Sequence, residues 1–192
     1  MPDKSNGYES IAQDFIAART RSSIGTAILR DWSRRLPRGA SILDIGCGSG
    51  VPVSQVLVDE GFEVSGIDAS PTMIDAFRER FPNSLAKCEA VEHSDCFNRT
   101  FDGVVCVGLM FLLSAETQRI LIAKVVHALK SGGQFLFTSP KQACTWSDVM
   151  TGRLSTSLGS GEYRRILAVE QLELVGEGKD EGENHYYFAK SR

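Results

Sequence analysis

Apolar residues recur along the chain at two spacings, and these spacings predict where helices and strands lie. In the N-terminal arm, Ile11, Phe15 and Ala18 fall on one helical face, and a second apolar stripe predicts a helix over about residues 22–36. From residue 41 onward, short apolar runs typical of buried strands alternate with longer stretches typical of helices. This alternation predicts parallel strands joined by right-handed helical crossovers, which together form a doubly wound α/β sheet.

Five strands and three helices are predicted between residues 41 and 138. The predicted strands cover residues 41–45, 62–67, 85–89, 101–107 and 134–138. The predicted helices run from Pro52 to about Glu60, from the capping pair Ser70-Pro71 to Arg80, and from Ser114 to about Leu129.

The last quarter of the chain has a different pattern. Residues 141–159 form a long connection rich in Ser, Thr and Gly, and a helix is predicted over about 160–171. Two further strands, 173–178 and 185–190, flank the short acidic turn KDEGEN. Their proximity predicts an antiparallel hairpin at the end of the otherwise parallel sheet.

Composition narrows the class of protein. The 192 residues suit one domain, and the formal net charge of −3 with no dense Lys/Arg block makes a nucleic-acid partner unexpected. No apolar run approaches the roughly 18 residues that span a bilayer, and the polar N-terminus lacks a signal core, so we expect a cytoplasmic protein with no membrane partner. The five scattered cysteines include no C-x-x-C pair, so neither a disulfide framework nor a structural metal site is predicted.

The stretch ILDIGCGSG, residues 42–50, places three glycines after the first predicted strand, where doubly wound sheets bind their ligands. A dinucleotide fold has G-x-G-x-x-G, but here Val51-Pro52 follows G-x-G-x-G. Asp44 would repel a pyrophosphate and favours a cation, while Asp68, which ends the second strand, can accept hydrogen bonds from ribose hydroxyls. The pattern therefore favours a cationic nucleoside, and S-adenosylmethionine (SAM) has this chemistry.

At this point the sequence resembles the class I (Rossmann-like) family of SAM-dependent methyltransferases. The matching stretches are ILDIGCGSG (42–50), VSGIDASPTMI (64–74), FDGVV (101–105) and LKSGGQFLF (129–137). The resemblance implies a sheet of seven strands with helices on both faces, the last strand antiparallel. It also divides the single domain, 1–192, into a helical arm or lid (1–39), a SAM-binding core (40–140) and a C-terminal part (141–192) with a substrate loop, helix and hairpin.

The resemblance also implies which residues bind SAM, the product being S-adenosylhomocysteine (SAH). The residues expected near the methionine part are Asp44, Gly46, Val107 and Gly108. Cys47 belongs to the glycine loop, residues 46–50, and Gly48 in the same loop would pack under the ribose. Asp68 would hold the ribose hydroxyls. The residues expected around the adenine are Ala69, Met73, Glu89 and Ala90, with Glu89 replacing the Asp that is usual at its position.

The methyl acceptor is expected to be a small molecule. The segment CVGLMFLL, residues 106–113, contains no Asn/Asp-Pro-Pro-Tyr motif, and the chain has no Pro-Cys pair, so neither usual form of nucleobase methylation is predicted. The residues expected to line the acceptor site are Met110 and Phe111 after the fourth strand, Trp146 in the long connection, and Tyr8, Phe15 and Arg19 in the arm.

The segment DEGENHYY, residues 180–187, follows a strand predicted to be parallel to its neighbours, so its turn is expected beside the ligand. We hypothesise that His185, helped by Asp180 or Glu181, positions or deprotonates the nucleophile, and that Asn184 contacts substrate. The acidic residues could instead orient an amine or guanidine, bind a divalent metal, or form a solvated turn.

These observations predict an enzyme that transfers a methyl group from SAM to O, N or S of a small-molecule acceptor by in-line displacement. Two alternatives stay open: a SAM-binding regulatory module without transferase activity, and a methyltransferase acting on protein or RNA. A monomer or homodimer is expected.

Overall fold

The computed structural model describes residues 3–192, which contain nine strands and six α-helices. The helices and seven of the strands follow the predicted order, and two short strands were not predicted. The strands are β1 (Ser41–Ile45), β2 (Glu63–Asp68), β3 (Leu85–Cys88), β4 (Phe101–Cys106), β5 (Leu129–Thr138), β6 (Cys144–Ser147), β7 (Leu154–Ser157), β8 (Leu172–Lys179) and β9 (His185–Ser191). The helices are α1 (Ala12–Arg19), α2 (Thr26–Ser33), α3 (Val53–Asp59), α4 (Pro71–Arg80), α5 (Ala115–Ala128) and α6 (Gly159–Val169).

Seven strands form one sheet in the order β3-β2-β1-β4-β5-β9-β8. The five strands β1 to β5 are mutually parallel, and β9 lies antiparallel between β5 and β8. The predicted doubly wound sheet with an antiparallel last strand is therefore confirmed. Because β8 runs parallel to β5, the turn after β8 lies at the same edge of the sheet as the carboxyl ends of β1 to β5.

Helices cover both faces of the sheet, and each face has its own apolar core. Helices α5 and α6 pack on one face through Leu121, Val125 and Tyr163. On the opposite face, α2 and α3 contribute Trp32 and Leu57. Among residues 3–192, none of the helices has both the length and the apolar character needed to cross a membrane.

Local sequence explains several of the element boundaries. Ser70 caps α4 by accepting a hydrogen bond from the backbone N–H of Met73 at 3.2 Å, and Pro71 occupies the first turn. Ser114 caps α5 in the same way through Thr117 at 3.1 Å. Helix α2 begins at Thr26 rather than near residue 22, because Gly25 lies before it in the left-handed conformation.

The connection over residues 141–159 differs most from its prediction. It forms a second, two-stranded sheet in which β6 and β7 pair antiparallel, with Trp146 opposite Ser155. Only Ser155 and Ser157 of these eight strand residues are buried. Strands built mainly of exposed Ser, Thr and Cys lack the apolar alternation that would have revealed them.

A buried carboxylate lies in the central strand. Asp44 is on the β1 face that α3 covers, is 1% exposed, and accepts a hydrogen bond from the Ser54 hydroxyl at 2.6 Å. Burial raises the pKa of Asp44 from 3.8 to about 7, the Ser54 hydrogen bond partly opposes this rise, and the nearby Asp68 carboxylate adds to it.

Asp44→Asn should therefore change the stability of the protein in a pH-dependent way. The folded protein binds the Asp44 proton more tightly than the unfolded chain does, so the free energy of unfolding falls as pH rises between the two pKa values. Relative to Asp44→Asn, which keeps the hydrogen bond from Ser54, the wild type should lose up to about 1.4 kcal/mol per pH unit from roughly pH 4 to 7.

Urea unfolding of both proteins at pH 5, 6, 7 and 8 measures this difference. Asp75→Asn, which removes an exposed carboxylate from α4, serves as the matched control for the loss of a charge. A difference between Asp44→Asn and wild type that stays constant over this range would contradict the buried, proton-binding state of Asp44.

Candidate active site

A cleft of about 270 Å³ opens at the carboxyl ends of the parallel strands. Its floor consists of the residues that follow β1, β2, β3 and β4, together with Thr138 at the end of β5. The N-terminal arm forms much of the remaining wall, and Asn184 contributes from the β8–β9 turn. This is the edge at which the sequence predicts the ligand.

Ten of the eleven predicted cofactor-binding residues line this cleft. They are Gly46, Cys47, Gly48, Asp68, Ala69, Met73, Glu89, Ala90, Val107 and Gly108. The exception is Asp44, which lies behind the glycine loop with its carboxylate against Ser54. An effect of Asp44 on a ligand would therefore be transmitted through the loop or through its electric field.

The glycine loop has a backbone path that side chains would obstruct. Gly46 and Gly48 have positive φ angles of 76° and 53°. A Cβ atom on Gly46 would lie 2.8 Å from the Cβ of Leu109, which is closer than packed atoms allow. The N–H groups of Gly46 and Cys47 both donate to the carbonyl of Ile67, at 2.8 and 3.1 Å, so the loop is fixed to the end of β2.

Asp68 joins this loop to the start of α4. One carboxylate oxygen accepts from the Gly48 N–H at 2.8 Å, and the other accepts from the Ser70 N–H at 2.9 Å. Burial raises the pKa of Asp68, and these two backbone hydrogen bonds partly offset that rise. Each oxygen keeps a further lone pair, so the carboxylate can still accept two hydroxyl donors from the cleft.

Glu89 presents an unsatisfied acceptor in the same cleft. Its Oε1 atom is buried and has no hydrogen-bond partner within residues 3–192. The Lys87 Nζ atom forms an ion pair with it at 3.9 Å, a distance too long for a hydrogen bond. A buried acceptor without a donor is costly, so this atom is suited to an N–H group of a ligand. The adenine amine predicted for this position would supply such a donor.

The end of β4 forms the opposite wall. Gly108, with φ of 79°, donates its N–H to the Thr138 hydroxyl at 2.8 Å, which holds the ends of β4 and β5 together. Leu109, Leu112 and Leu113 follow and give the cleft an apolar side. The acidic groups therefore lie on the β2–β3 side and the apolar groups on the β4 side.

Hydrogen bonds from Tyr8 and to Glu9 hold the N-terminal arm against the rest of the cleft. The carboxylate of Glu9 accepts hydrogen bonds from the Ser70 hydroxyl and from the Thr72 hydroxyl at 2.7 Å. Tyr8 donates to Asp148 at 3.4 Å, and burial, reinforced by the Asp148 carboxylate, raises the pKa of Tyr8 to about 12. The arm is thus connected both to α4 and to the segment between β6 and β7.

Five of the seven predicted acceptor residues line the cleft: Tyr8, Phe15, Arg19, Phe111 and Asn184. Met110 is fully buried in the apolar core instead, because the short 3₁₀ turn at Met110–Leu112 directs it beneath the sheet edge. Trp146 does not line the cleft but packs against Phe111, with ring centroids 5.5 Å apart. It therefore supports a wall residue rather than forming the wall.

The three predicted catalytic side chains contact the hairpin and the arm rather than the cleft. His185 Nε2 lies 3.1 Å from Glu177 Oε2, and the imidazole packs edge-on against Tyr187 at 4.7 Å. Asp180 accepts from the Tyr186 hydroxyl at 3.0 Å, and Glu181 accepts from the Gly25 N–H at 3.1 Å. Strand alternation places His185 on the same face as Tyr187, beside α6, which sequence position alone did not reveal. Its catalytic role stays a prediction.

Sequence reasoning missed several lining residues. The first described part of the arm contributes Lys4, Ser5 and Asn6, whose polar, aperiodic sequence carried no signal for a cleft. Leu112 and Leu113 also line the cleft and were detectable, since they follow a predicted strand at the ligand edge.

Comparison with known proteins adds independent information. The profile of the family described as "Methyltransferase domain" matches residues 42–133. The putative methyltransferase YqeM of Bacillus subtilis is 33% identical over 107 residues, which cover 53% of this chain and 43% of that protein. The cypemycin N-terminal methyltransferase of a Streptomyces species is 32% identical over 137 residues, covering 69% of this chain and 56% of that protein. The chain thus spans only about half the length of these relatives.

Other matching relatives carry the names of tRNA and rRNA methyltransferases. Among solved structures, a TehB-like SAM-dependent methyltransferase from Corynebacterium glutamicum superposes over 100% of both chains with a TM-score of 0.71 and 23% identity. The profile match shows a methyltransferase domain over residues 42–133, which include the glycine loop and the strands that follow it, and the seven-stranded sheet has the class I, Rossmann-like fold of SAM-dependent methyltransferases.

Proposed function

We propose that this protein transfers a methyl group from SAM to an O, N or S atom of a small-molecule acceptor. The observation that carries the proposal is the order of three features along the cleft: the glycine loop, the Asp68 carboxylate and the unsatisfied Glu89 acceptor. In that order, the three features are complementary to an amino-acid tail, a ribose with two hydroxyls and an adenine with an exocyclic amine.

The charges in the cleft agree with this ligand. The lining contains three acidic residues, Asp68, Glu89 and Glu92, and two basic residues, Lys4 and Arg19, so its formal charge is negative. Lys4 and Glu92 form an ion pair at 3.3 Å. SAM carries a sulfonium and an ammonium against one carboxylate, so its net charge is positive. An acidic, partly enclosed site attracts such a ligand more strongly than a solvent-exposed one does.

When bound, SAM supplies a methyl group already activated by the sulfonium. The chain's own residues then need to hold the acceptor in line with the bond that breaks and to exclude water. Leu109, Phe111 and Phe15 supply apolar walls for this purpose. No strong base is needed for an acceptor that reaches the site deprotonated.

A small acceptor is favoured by the enclosure of the site. The arm, fixed to α4 through Glu9, narrows the cleft to about 270 Å³, and the net charge of −3 offers little attraction for a polyanion. The relative named for N-terminal methylation of cypemycin is compatible with a nitrogen acceptor. The relatives named for tRNA and rRNA make nucleic acid the main competing acceptor.

Transfer of labelled methyl tests the acceptor class. The protein is incubated with methyl-deuterated SAM and with separated metabolite, RNA and protein fractions of a cell extract, and mass spectrometry locates the label. We expect label in the metabolite fraction. Label confined to RNA or protein would contradict the small-molecule acceptor, and SAH binding without label in any fraction would favour a module without transferase activity.

Asp68→Asn should weaken SAH binding by roughly tenfold or more, because an amide can no longer accept hydrogen bonds at both positions. The loss should depend on the ribose hydroxyls. Calorimetry with adenosine and with 2′,3′-dideoxyadenosine measures this: the wild type should prefer adenosine, and the variant should lose that preference. Asp75→Asn is the matched control and should keep it. Equal discrimination in Asp68→Asn and wild type would contradict the assignment.

His185→Gln distinguishes a catalytic role of His185 from a structural role as the partner of Glu177. Because the imidazole does not line the cleft, SAH affinity should be unchanged. If His185 deprotonates or positions the nucleophile, kcat should fall by about 100-fold or more. The assay uses the acceptor found in the labelling experiment. A kcat equal to that of wild type would contradict the catalytic role and leave His185 as a partner of Glu177.

A further inference from the structure

Two basic residues line the cleft, Lys4 and Arg19, and within residues 3–192 Arg19 forms no ion pair with a carboxylate. It lies in the last turn of α1 and lines the cleft from the arm. Lys4, in contrast, is paired with Glu92.

The guanidinium also contains an unsatisfied donor. Arg19 Nε is buried and has no hydrogen-bond partner in the described part of the chain. An N–H donor of a charged group that loses water without gaining an acceptor destabilises the protein. A basic residue in the last turn of a helix can stabilise the helix dipole while its side chain stays in water. Burial of the Nε donor is therefore not explained by the position of Arg19 at the end of α1.

The neighbouring side chains fix the direction of Arg19. Its guanidinium carbon lies 5.7 Å from the Phe15 ring centroid, within the range of a cation–π contact. Tyr8 packs edge-on against the same Phe15 ring at 5.2 Å. Both rings line the cleft, so the guanidinium is held at the wall beside two aromatic surfaces before any ligand binds.

We propose that Arg19 binds a carboxylate inside the cleft. This inference rests on the proposed function and extends it. A planar guanidinium binds a carboxylate through paired N–H···O hydrogen bonds, a geometry that an ammonium cannot reproduce. Nε and one terminal nitrogen form one such donor pair, and Nε is the atom that the protein leaves unsatisfied.

Two molecules in the proposed reaction could carry this carboxylate. One is the cofactor, through its methionine end, and the other is the acceptor. In either case Arg19 holds the negative charge on the arm, opposite the acidic residues Asp68 and Glu89 on the floor.

Four proteins and two ligand pairs test this inference. The proteins are the wild type, Arg19→Met, Arg19→Lys and the control Arg21→Met, which changes a nearby exposed arginine of the arm. The first pair is SAM and S-adenosylmethioninamine, which lacks only the carboxylate. The second pair is benzoate and its neutral isostere benzamide, titrated into the SAH-loaded protein by NMR.

If the carboxylate belongs to the cofactor, Arg19→Met should weaken SAM binding by roughly ten- to a hundredfold and leave the affinity for S-adenosylmethioninamine unchanged. If it belongs to the acceptor, SAM affinity should be unchanged, and Arg19→Met should abolish benzoate binding without affecting benzamide. Arg19→Lys should recover only part of the loss, and Arg21→Met should behave as wild type.

Equal affinities of wild type and Arg19→Met for all four ligands would overturn the inference. Thermal unfolding of each variant shows whether a loss reflects a damaged arm. Failure of the wild type to bind SAM or SAH would instead refute the proposed function, so the two failures are distinguishable.

Discussion

The hydrogen bonds around Asp68 hold together the parts of the chain that form the cleft floor. Its two oxygens accept from the Gly48 and Ser70 N–H groups, and the Ser70 hydroxyl in turn caps α4 and donates to Glu9 of the arm. The glycine loop, the second strand, the fourth helix and the arm therefore meet at one carboxylate. Asp68 also lines the cleft, so the group that organises the site is available to bind a ligand.

Some polar groups in and around the cleft have hydrogen-bond partners within the protein, and others have none. Asp44 is satisfied by Ser54 and lies outside the cleft, and Thr138 is satisfied by the Gly108 N–H. Glu89 Oε1 and Arg19 Nε are buried without partners among residues 3–192. Their free acceptor and donor lie on the floor and on the arm respectively, and a zwitterionic nucleoside carries groups complementary to both.

Much of the fold follows from local chemistry in the sequence. The ends of β1 and α4 agree with prediction because an apolar run and a Ser-Pro capping pair determine them within a few residues. The same holds for the loop after β1, since positive φ angles and close approach to Leu109 require glycine. Side-chain direction in the last hairpin was not predictable in this way. Asn184 lines the cleft, whereas His185, one position later, pairs with Glu177 on the other side. The β6–β7 pair was missed because its mainly exposed polar residues have no apolar period.

A crystal structure of the protein with SAH tests the central claim most directly, because it locates each ligand group against a named side chain. The account predicts the ribose hydroxyls on the Asp68 carboxylate, the adenine amine within hydrogen-bond distance of Glu89 Oε1, and the amino-acid tail beside the glycine loop. SAH bound elsewhere, or bound in the cleft with Glu89 Oε1 still unpartnered and Asp68 not contacting the ribose, would contradict it.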